Sequence, residues 1–373
     1  MKARSMEVEV GAFEDAAATF ARDQWTMLRC SHDGVARARV WRRRDSGLLL
    51  GRFHRADPAS CAWGDSSRAG ANGSRDGLSR RLSGGRIVPV GPGVVCISMT
   101  LPLVDWLADT GAALRPDQVL NRALRPLLGV LRGLGIDAFY PGRDLITVGG
   151  RAIAHASFTI MRDGVAVVEM HVAESPAFDG LPALLDAFDP NSIAGVDRGA
   201  LAASTSLEES GTAALADAEW AAKFAEFASR SFACDANVSG SVVEAAPGGA
   251  TTASAADGFA PSDHGVTLAH ESAARDFLLT PGPLEKGALT AAAVSMLGVV
   301  ECSARVRGDR LTGLRVTGDL IAPFHTLDDV AAECEGEPFR AANIRKALAR
   351  AMARPRSFVL GLREIDELIL RIA

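Results

Sequence analysis

A segment near residue 80 limits the possible folds of this chain more than any other. Two arginines, Arg80 and Arg81, precede a Ser-Gly-Gly turn, and an apolar, β-prone run continues to Ser98. This order predicts a strand that ends in a tight turn, with a second strand leaving it. Glycines let the main chain approach a ligand closely because they have no Cβ, and arginines offer charged forks for phosphate or carboxylate. The segment therefore predicts an anion-binding turn, and the alternative is a plain hairpin with two solvated arginines.

Size and charge narrow the class of protein. The chain has 373 residues, of which 48% are hydrophobic and 23% are charged. This length predicts two domains, and this composition is sufficient for a buried core. The formal net charge is −5, from 40 basic and 45 acidic groups, which argues against nucleic acid as a partner. Arginine supplies nearly all of the positive charge, because the lysines are only Lys2, Lys223, Lys286 and Lys346.

The cysteines and the apolar segments bear on location and on metal binding. No pair of cysteines has CxxC spacing, so neither a zinc site nor a dense disulfide framework is predicted. The six are Cys30, Cys61, Cys96, Cys234, Cys302 and Cys334. The first residues lack an apolar signal core, and no run of about 18 apolar residues follows. We therefore expect a cytoplasmic protein with no membrane segment.

The hydrophobic periodicity predicts an α+β fold. Helices are predicted over residues 11–30, 116–133 and 208–232, of which the second has leucines at helical spacing and ends at Gly133. Strands are predicted over residues 35–44, 48–54, 144–151, 152–160 and 165–172. Strands follow strands rather than alternating with helices, which favours mixed or antiparallel sheets with flanking helices.

A low-complexity stretch divides the chain. Residues 235–265 are rich in Ala, Gly, Ser and Thr, can bury little apolar surface, and are interpreted as a flexible linker. The predicted domains are therefore residues 1–234 and 266–373. The second contains a predicted hairpin over residues 299–316, followed by short helices up to an apolar helix over residues 365–372.

Several segments, taken in order, resemble one enzyme family. Residues 50–54 (LGRFH) and 80–88 (RRLSGGRIV) are similar to a strand end of the form hGRFQ and a turn of the form RRxSGGGAV. Residues 142–156 (GRDLITVGGRAIAHA) resemble GRNDLxVxGRKIxGxA, and residues 205–207 lie where a loop covers the adenylate. Residues 318–320 resemble a GDF motif of a small C-terminal domain. This order resembles lipoate-protein ligases of the biotin protein ligase and lipoyl transferase superfamily. The resemblance implies a class II biotin/lipoyl synthetase-like large domain and a small α+β domain.

The resemblance also implies a reaction and a set of ligands. Such enzymes use ATP and Mg²⁺ to convert lipoate or octanoate to an acyl-adenylate, and then acylate a lysine of a lipoyl-domain protein. Arg80 would face the phosphate, and Asp144 would hold Mg²⁺, which prefers oxygen ligands. The acyl tail would lie against Gly84 and Gly85, in an apolar slot lined by Ile87, Val88 and Ile153. The ligand-binding residues implied are Arg80, Arg81, Ser83, Gly84, Gly85, Arg86, Ile87, Val88, Arg143, Asp144, Ile153 and His155.

The sequence departs from the family pattern at the chemistry. Ala152 lies where the family has its catalytic lysine, and loss of such a donor costs about 3–4 kcal/mol of transition-state stabilisation. Arg86 replaces the third glycine of the turn, Arg143 an asparagine and His155 a glycine. Two hypotheses remain. In the first, Arg86, Arg143 or Arg151 supplies the missing charge, although Arg151 would have to project from the opposite face of its strand.

The second hypothesis is a non-catalytic or repurposed homologue, a pseudoenzyme that binds an acyl ligand or a lipoyl domain. Cys96 is a further candidate, since some acyltransferases of this superfamily use a cysteine nucleophile. Its apolar neighbours favour a buried and inert thiol. A biotin-ligase relative is the weakest alternative.

Overall fold

A mixed eight-stranded sheet is the frame of the larger part of the molecule. The computed structural model describes residues 4–14, 16–44, 47–55, 78–107, 115–142, 144–175, 204–239, 286–295, 297–361 and 365–372. The strands of this sheet are β1 (Ser5–Glu14), β2 (Ala36–Arg43), β6 (Val94–Leu101), β7 (Ala138–Phe139), β8 (Leu145–Val148), β9 (Arg151–Ile160), β10 (Ala166–Ala173) and β11 (Asp235–Ser239). Their order is β11-β1-β2-β6-β10-β9-β8-β7. β1 pairs in parallel with β2 and β11, and the remaining pairs are antiparallel.

The two faces of this sheet differ in polarity because successive side chains of a strand point to opposite faces. In β10, Val168 and Met170 belong to the main apolar core, whereas Glu169 and His171 alternate with them. Helices cover the apolar face. They are α2 (Pro116–Ala123), α3 (Arg125–Gly133) and α4 (Asp217–Phe232). The opposite face therefore carries buried polar side chains, and the candidate site lies there.

A small sheet and the first helix lie over the polar face. The small sheet consists of β3 (Gly47–Leu50), β4 (Leu78–Arg80) and β5 (Val88–Val90), in the order β4-β3-β5. A separate apolar cluster joins it to the large sheet and includes Trp41, Leu49, Val88 and Cys96. Helix α1 (Ala16–Asp33) packs against β2, β4 and β6. The turn between β4 and β5 is thereby held above the middle of the large sheet.

The C-terminal part has a second apolar core. Its elements are β12 (Leu289–Val294), β13 (Val299–Arg307), β14 (Arg310–Gly318), α5 (Thr326–Cys334), α6 (Ala341–Met352) and α7 (Ile365–Leu370). Each part of the molecule contributes side chains to the core of the other. Phe53 packs in the second core, and Ile321 and Phe358 pack in the first. Residues 318–322 are therefore pressed against the larger part of the molecule, next to the glycine turn.

The predicted α+β class, with mixed sheets and flanking helices, is confirmed. The predicted 299–316 hairpin and the Gly-Gly turn between β8 and β9 are present. The helix predicted from residue 11 is wrong at its start, because strand β1 continues to Glu14. The helix predicted over 116–133 is interrupted at Leu124, since Pro126 cannot donate the next helical hydrogen bond.

Two further boundaries differ from the prediction. Helix α4 begins at Asp217 rather than at residue 208. Residues 235–239 do not belong to a linker but form β11, which pairs with β1. Residues 240–285 lie outside the described residues, so the predicted domain limits stay a prediction. Within the described ranges, no helix is both long enough and apolar enough to cross a membrane.

Candidate functional site

The turn between β4 and β5 owes its shape to Arg81. The Arg81 guanidinium donates from Nε and Nη2 to the carbonyl of Gly84, at 3.0 and 2.5 Å, and from Nη2 to the carbonyl of Arg86 at 2.6 Å. Arg81 is buried, and this burial lowers its pKa to about 10, so the side chain stays charged at neutral pH. The second arginine of the motif is therefore the internal brace of the turn.

The turn rests on two strands of the large sheet. The amide of Ser83 donates to Oε2 of Glu169 at 2.7 Å, and Oγ of Ser157 donates to the carbonyl of Gly84 at 2.6 Å. Burial, reinforced by the carboxylate of Asp23, raises the pKa of Glu169 to about 7. A carboxylate that accepts a turn amide fixes the position of Ser83 above the sheet.

Gly84 is required by a contact with the chain's own C-terminal part, and Gly85 has a positive φ of 81°. A Cβ on Gly84 would lie 2.1 Å from the carbonyl oxygen of Leu320, and the amide of Gly85 donates to that oxygen at 2.6 Å. Nearby, His54 Nε2 lies 3.0 Å from Asp319 Oδ1. The close approach that the sequence predicts for a ligand is thus made here by residues 318–322.

Arg80 is bound to main chain. Its Nη1 donates to the carbonyls of Gly51, Arg52 and His54, at 2.9, 2.8 and 2.7 Å. The first arginine of the motif therefore stabilises the turn that follows β3. Its predicted contact with a phosphate stays a prediction.

Arg86 and Asp144 form a buried, two-pronged ion pair. Arg86 donates from Nε to Oδ2 at 2.6 Å and from Nη2 to Oδ1 at 2.8 Å, which leaves Nη1 outside the pair. The Asp144 side chain is 0% exposed and that of Arg86 is 14% exposed. Burial opposes the charge of both groups, yet the charge of Arg86 holds the pKa of Asp144 well below its usual range. Asp144 in turn raises the pKa of Arg86.

A neutral histidine lies behind this pair. His155 Nε2 is 3.5 Å from Asp144 Oδ2, and neither ring nitrogen has a hydrogen-bond partner within the part of the chain that the structure describes. Burial and the nearby charge of Arg81 lower the pKa of His155 to about 4, so the ring is neutral at pH 7. The ring of His171, on the next strand, has its centroid 5.8 Å away.

Comparison with known proteins shows which known fold the chain shares. No family model matches the chain, and a search of curated proteins finds no match. Among solved structures, LipL1 of P. falciparum in complex with lipoate aligns with a TM-score of 0.61 and 10% identity, over 98% of this chain and 98% of that chain. The chain has the lipoate-protein ligase fold. The resemblance predicted from the motifs is confirmed at this level.

Two further solved structures align less well. A bipartite lipoate protein ligase from Thermoplasma acidophilum, solved with its E2 lipoyl domain, gives a TM-score of 0.47 at 16% identity, over 63% of this chain and 87% of that chain. Lipoate-protein ligase A bound with ATP gives 0.46 at 16% identity, over 64% and 89%.

Residue 152, where the motif resemblance predicts the family lysine, carries only a methyl group. Ala152 is buried on β9, and its carbonyl accepts a hydrogen bond from the amide of Thr205 at 2.8 Å. Arg151, the predicted substitute, points to the surface, where it pairs with Glu209 at 3.0 Å. Arg143 lies outside the described residues.

The residues predicted for the acyl slot do not come together. Val88 packs in the cluster with Trp41, whereas Ile153 belongs to the main core of the large sheet. Ile87 is buried in the turn itself. A cavity of about 10 Å³ lies beneath the turn, lined by residues that include Asp23, Trp41, Arg43, Arg81 and Glu169. This volume suits about one water molecule, so this particular cavity is not the slot for an acyl tail.

The predicted Mg²⁺ does not fit at Asp144 in this arrangement. Both carboxylate oxygens accept hydrogen bonds from Arg86. Elsewhere among the described residues, no group of three His, Cys, Asp or Glu side chains could hold a metal ion. A hard cation needs several free oxygen ligands, and Asp144 offers none while Arg86 is bound.

Sequence reasoning missed Glu169, Ser157 and Leu320 as parts of the site. Glu169 could have been found, because a carboxylate in the middle of an apolar strand is a signal of a buried polar contact. Ser157 and Leu320 carry no such local signal.

Proposed function

We propose that this chain is a repurposed lipoate-protein ligase homologue, which binds an acyl ligand and does not activate it with ATP. One observation carries the proposal: the Arg86 guanidinium is paired with both oxygens of Asp144, while Ala152 stands at the position that the resemblance assigns to the family lysine. The two groups that the resemblance assigns to catalysis, a lysine and a free carboxylate, are therefore both changed.

Activation of an acid with ATP builds up negative charge in the transition state. Attack of a carboxylate on the α-phosphate of ATP places extra negative charge on phosphate oxygens, and donors aimed at these oxygens stabilise it. The methyl group of Ala152 offers no donor. Loss of one such donor lowers kcat about 10²–10³-fold. A site with this loss, and with its carboxylate already neutralised, is suited to binding rather than to turnover.

The class of ligand follows from the fold and from Arg86. The structural neighbour LipL1 was solved with lipoate, which is an acyl chain with a carboxylate head. Arg86 offers a guanidinium of the geometry that carboxylates and phosphates prefer. Lipoate or octanoate is thus the proposed ligand, and a lipoyl-domain protein is the proposed partner.

A second candidate function is ATP-dependent lipoate or octanoate attachment in altered form. The observation that favours it is Nη1 of Arg86, which remains outside the pair with Asp144 and could approach phosphate oxygens. In this candidate, Arg86 supplies the charge of the missing lysine.

The two candidates differ in the products formed. The purified protein is incubated with lipoate or octanoate, ATP, Mg²⁺ and an apo lipoyl domain, and the domain is then weighed by mass spectrometry. Binding of octanoate is measured in parallel by calorimetry. The proposal predicts binding without a gain in mass of the domain. Acylation of the domain would establish the second candidate, and absence of binding would refute the proposal.

A further inference from the structure

We infer that Arg86 takes the place of a divalent cation at Asp144, so that the site binds an oxyanion without metal. The ligand group is the carboxylate of an acyl chain or the phosphate of a nucleotide. This inference rests on the proposed function and specifies how the same site holds the charged head of its ligand.

The buried carboxylate of Asp144 needs a neutralising partner. A carboxylate with no exposure to water is unfavourable unless a cation or several hydrogen bonds neutralise it. Arg86 meets both oxygens at 2.6 and 2.8 Å, which are distances of charge-assisted hydrogen bonds. His155, at 3.5 Å from the same carboxylate, is neutral and contributes no positive charge. Arg86 therefore does the neutralising that a metal ion would otherwise do.

The Arg86 guanidinium has a second edge that the pair with Asp144 does not use. The pair with Asp144 uses Nε and Nη2, on one edge of the guanidinium, and leaves the donors of Nη1 for another partner. The Arg86 side chain is 14% exposed, so part of it reaches solvent, whereas the Asp144 side chain is 0% exposed. A guanidinium that is fixed on one edge loses little side-chain entropy when its other edge binds an anion.

The charged groups near Arg86 determine which ligands it can bind. Arg81 lies behind the turn and adds a second positive charge close to Arg86. Asp319 is the remaining carboxylate that acts on Arg86, and its oxygens are already engaged by His54 and by the amide of Val299. The two arginines are thus balanced by Asp144 and Asp319, and the oxygens of both aspartates are already paired, so neither carboxylate competes with an anion for Nη1.

The test measures binding by calorimetry, with octanoate and AMP as separate probes, each in EDTA and in MgCl₂. The parent protein is compared with Arg86→Gly, with the double variant Arg86→Gln/Asp144→Asn, and with Arg115→Gln. Arg115 forms a similar two-pronged pair with Asp117 at an exposed position, so it is the matched control. Circular dichroism verifies the fold of each variant.

The parent should bind at least one probe with the same Kd in EDTA and in MgCl₂, and the probe that binds identifies the anion. Arg86→Gly should bind about 10–100-fold more weakly in EDTA, and MgCl₂ should restore part of the affinity because Asp144 is uncovered. The double variant leaves no lone buried charge, should remain folded, and should bind weakly with or without Mg²⁺. Arg115→Gln should match the parent.

Three results would overturn the inference. Binding by the parent that requires Mg²⁺, or binding by both Arg86 variants that equals the parent's, would contradict it while leaving the proposed function in place. Failure of the parent to bind octanoate would refute the proposed function, and failure to bind either octanoate or AMP would refute the inference as well.

Discussion

Loss of Arg86 and loss of Asp144 from their ion pair should lower the free energy of unfolding by different amounts. Replacement of Arg86 by Met leaves the Asp144 carboxylate in a fully buried position, with a neutral His155 as its nearest titratable neighbour. Replacement of Asp144 by Asn leaves a guanidinium that is already partly exposed and can turn towards water. Replacement of Arg86 should therefore lower the free energy of unfolding more than replacement of Asp144.

The magnitudes follow from burial. An uncompensated buried charge costs about 3–5 kcal/mol, which is the expected loss in free energy of unfolding for Arg86→Met at pH 7. Loss of a hydrogen-bonded partner from a group that can reach solvent costs about 1–3 kcal/mol, which is the expectation for Asp144→Asn. The double variant Arg86→Met/Asp144→Asn should cost clearly less than the two single losses combined, because it leaves no lone charge.

The assay is urea denaturation of the four proteins, monitored by circular dichroism, at pH 7 and again at pH 4. The cost of Arg86→Met should fall at the lower pH, because the lone carboxylate takes up a proton. The exposed Arg115→Met serves as the control and should have little effect. Equal costs for the two single variants, or a double variant whose cost equals their sum, would refute the buried pair as described.

The remaining predictions concern the histidine, the glycine turn and the cysteine. Burial lowers the pKa of His155 to about 4 from 6.5, so the folded state binds a proton less readily than the unfolded state and loses stability as the pH falls through this interval. In urea unfolding between pH 7 and pH 4, the free energy of unfolding of the parent should fall by about 3 kcal/mol more than that of His155→Gln. Equal losses would contradict a neutral buried ring. Gly84→Ala places a Cβ 2.1 Å from the Leu320 carbonyl and should cost about 1–3 kcal/mol, with faster hydrogen exchange in residues 318–322. Gly133→Ala, whose new Cβ meets only a ring edge at 3.3 Å, is the control, and unchanged exchange in Gly84→Ala would show that the contact is wrong. Burial raises the pKa of the Cys96 thiol far above its usual range, so thiol reagents should leave Cys96 unmodified in the folded protein; rapid alkylation there would revive a cysteine nucleophile.

The sequence predicted those features that depend on local pattern. The Gly-Gly hairpin turn before β9, the helical stripe over 116–133 and the turn between β4 and β5 all follow from residues within one short window. The start of the first helix could not be predicted in this way. Residues 11–14 resemble the helix that follows them, and they extend β1 because positions 13 and 14 pair in parallel with Arg42 and Arg43 of β2, beyond the first helix.

The interior of the site depends on partners that no local pattern reveals. The motif identified Gly84 and Gly85 as positions of close approach, but the group that approaches is a carbonyl from the C-terminal part. Likewise, Arg86 and Asp144 were each predicted as ligand-binding residues, and the structure shows that they bind each other across 58 positions of sequence. Recognition of a residue type at a motif position did not specify its partner.

The most direct test of the account is the exchange of radiolabelled pyrophosphate into ATP, measured with lipoate or octanoate present and absent. This exchange reports formation of an acyl-adenylate and requires no lipoyl domain. Because Ala152 offers no donor to the reacting oxygens and Asp144 is occupied by Arg86, the account predicts no exchange that depends on the acid. Exchange that requires lipoate or octanoate and disappears in Arg86→Gln would contradict it, and would establish Arg86 as the charge that replaces the lysine.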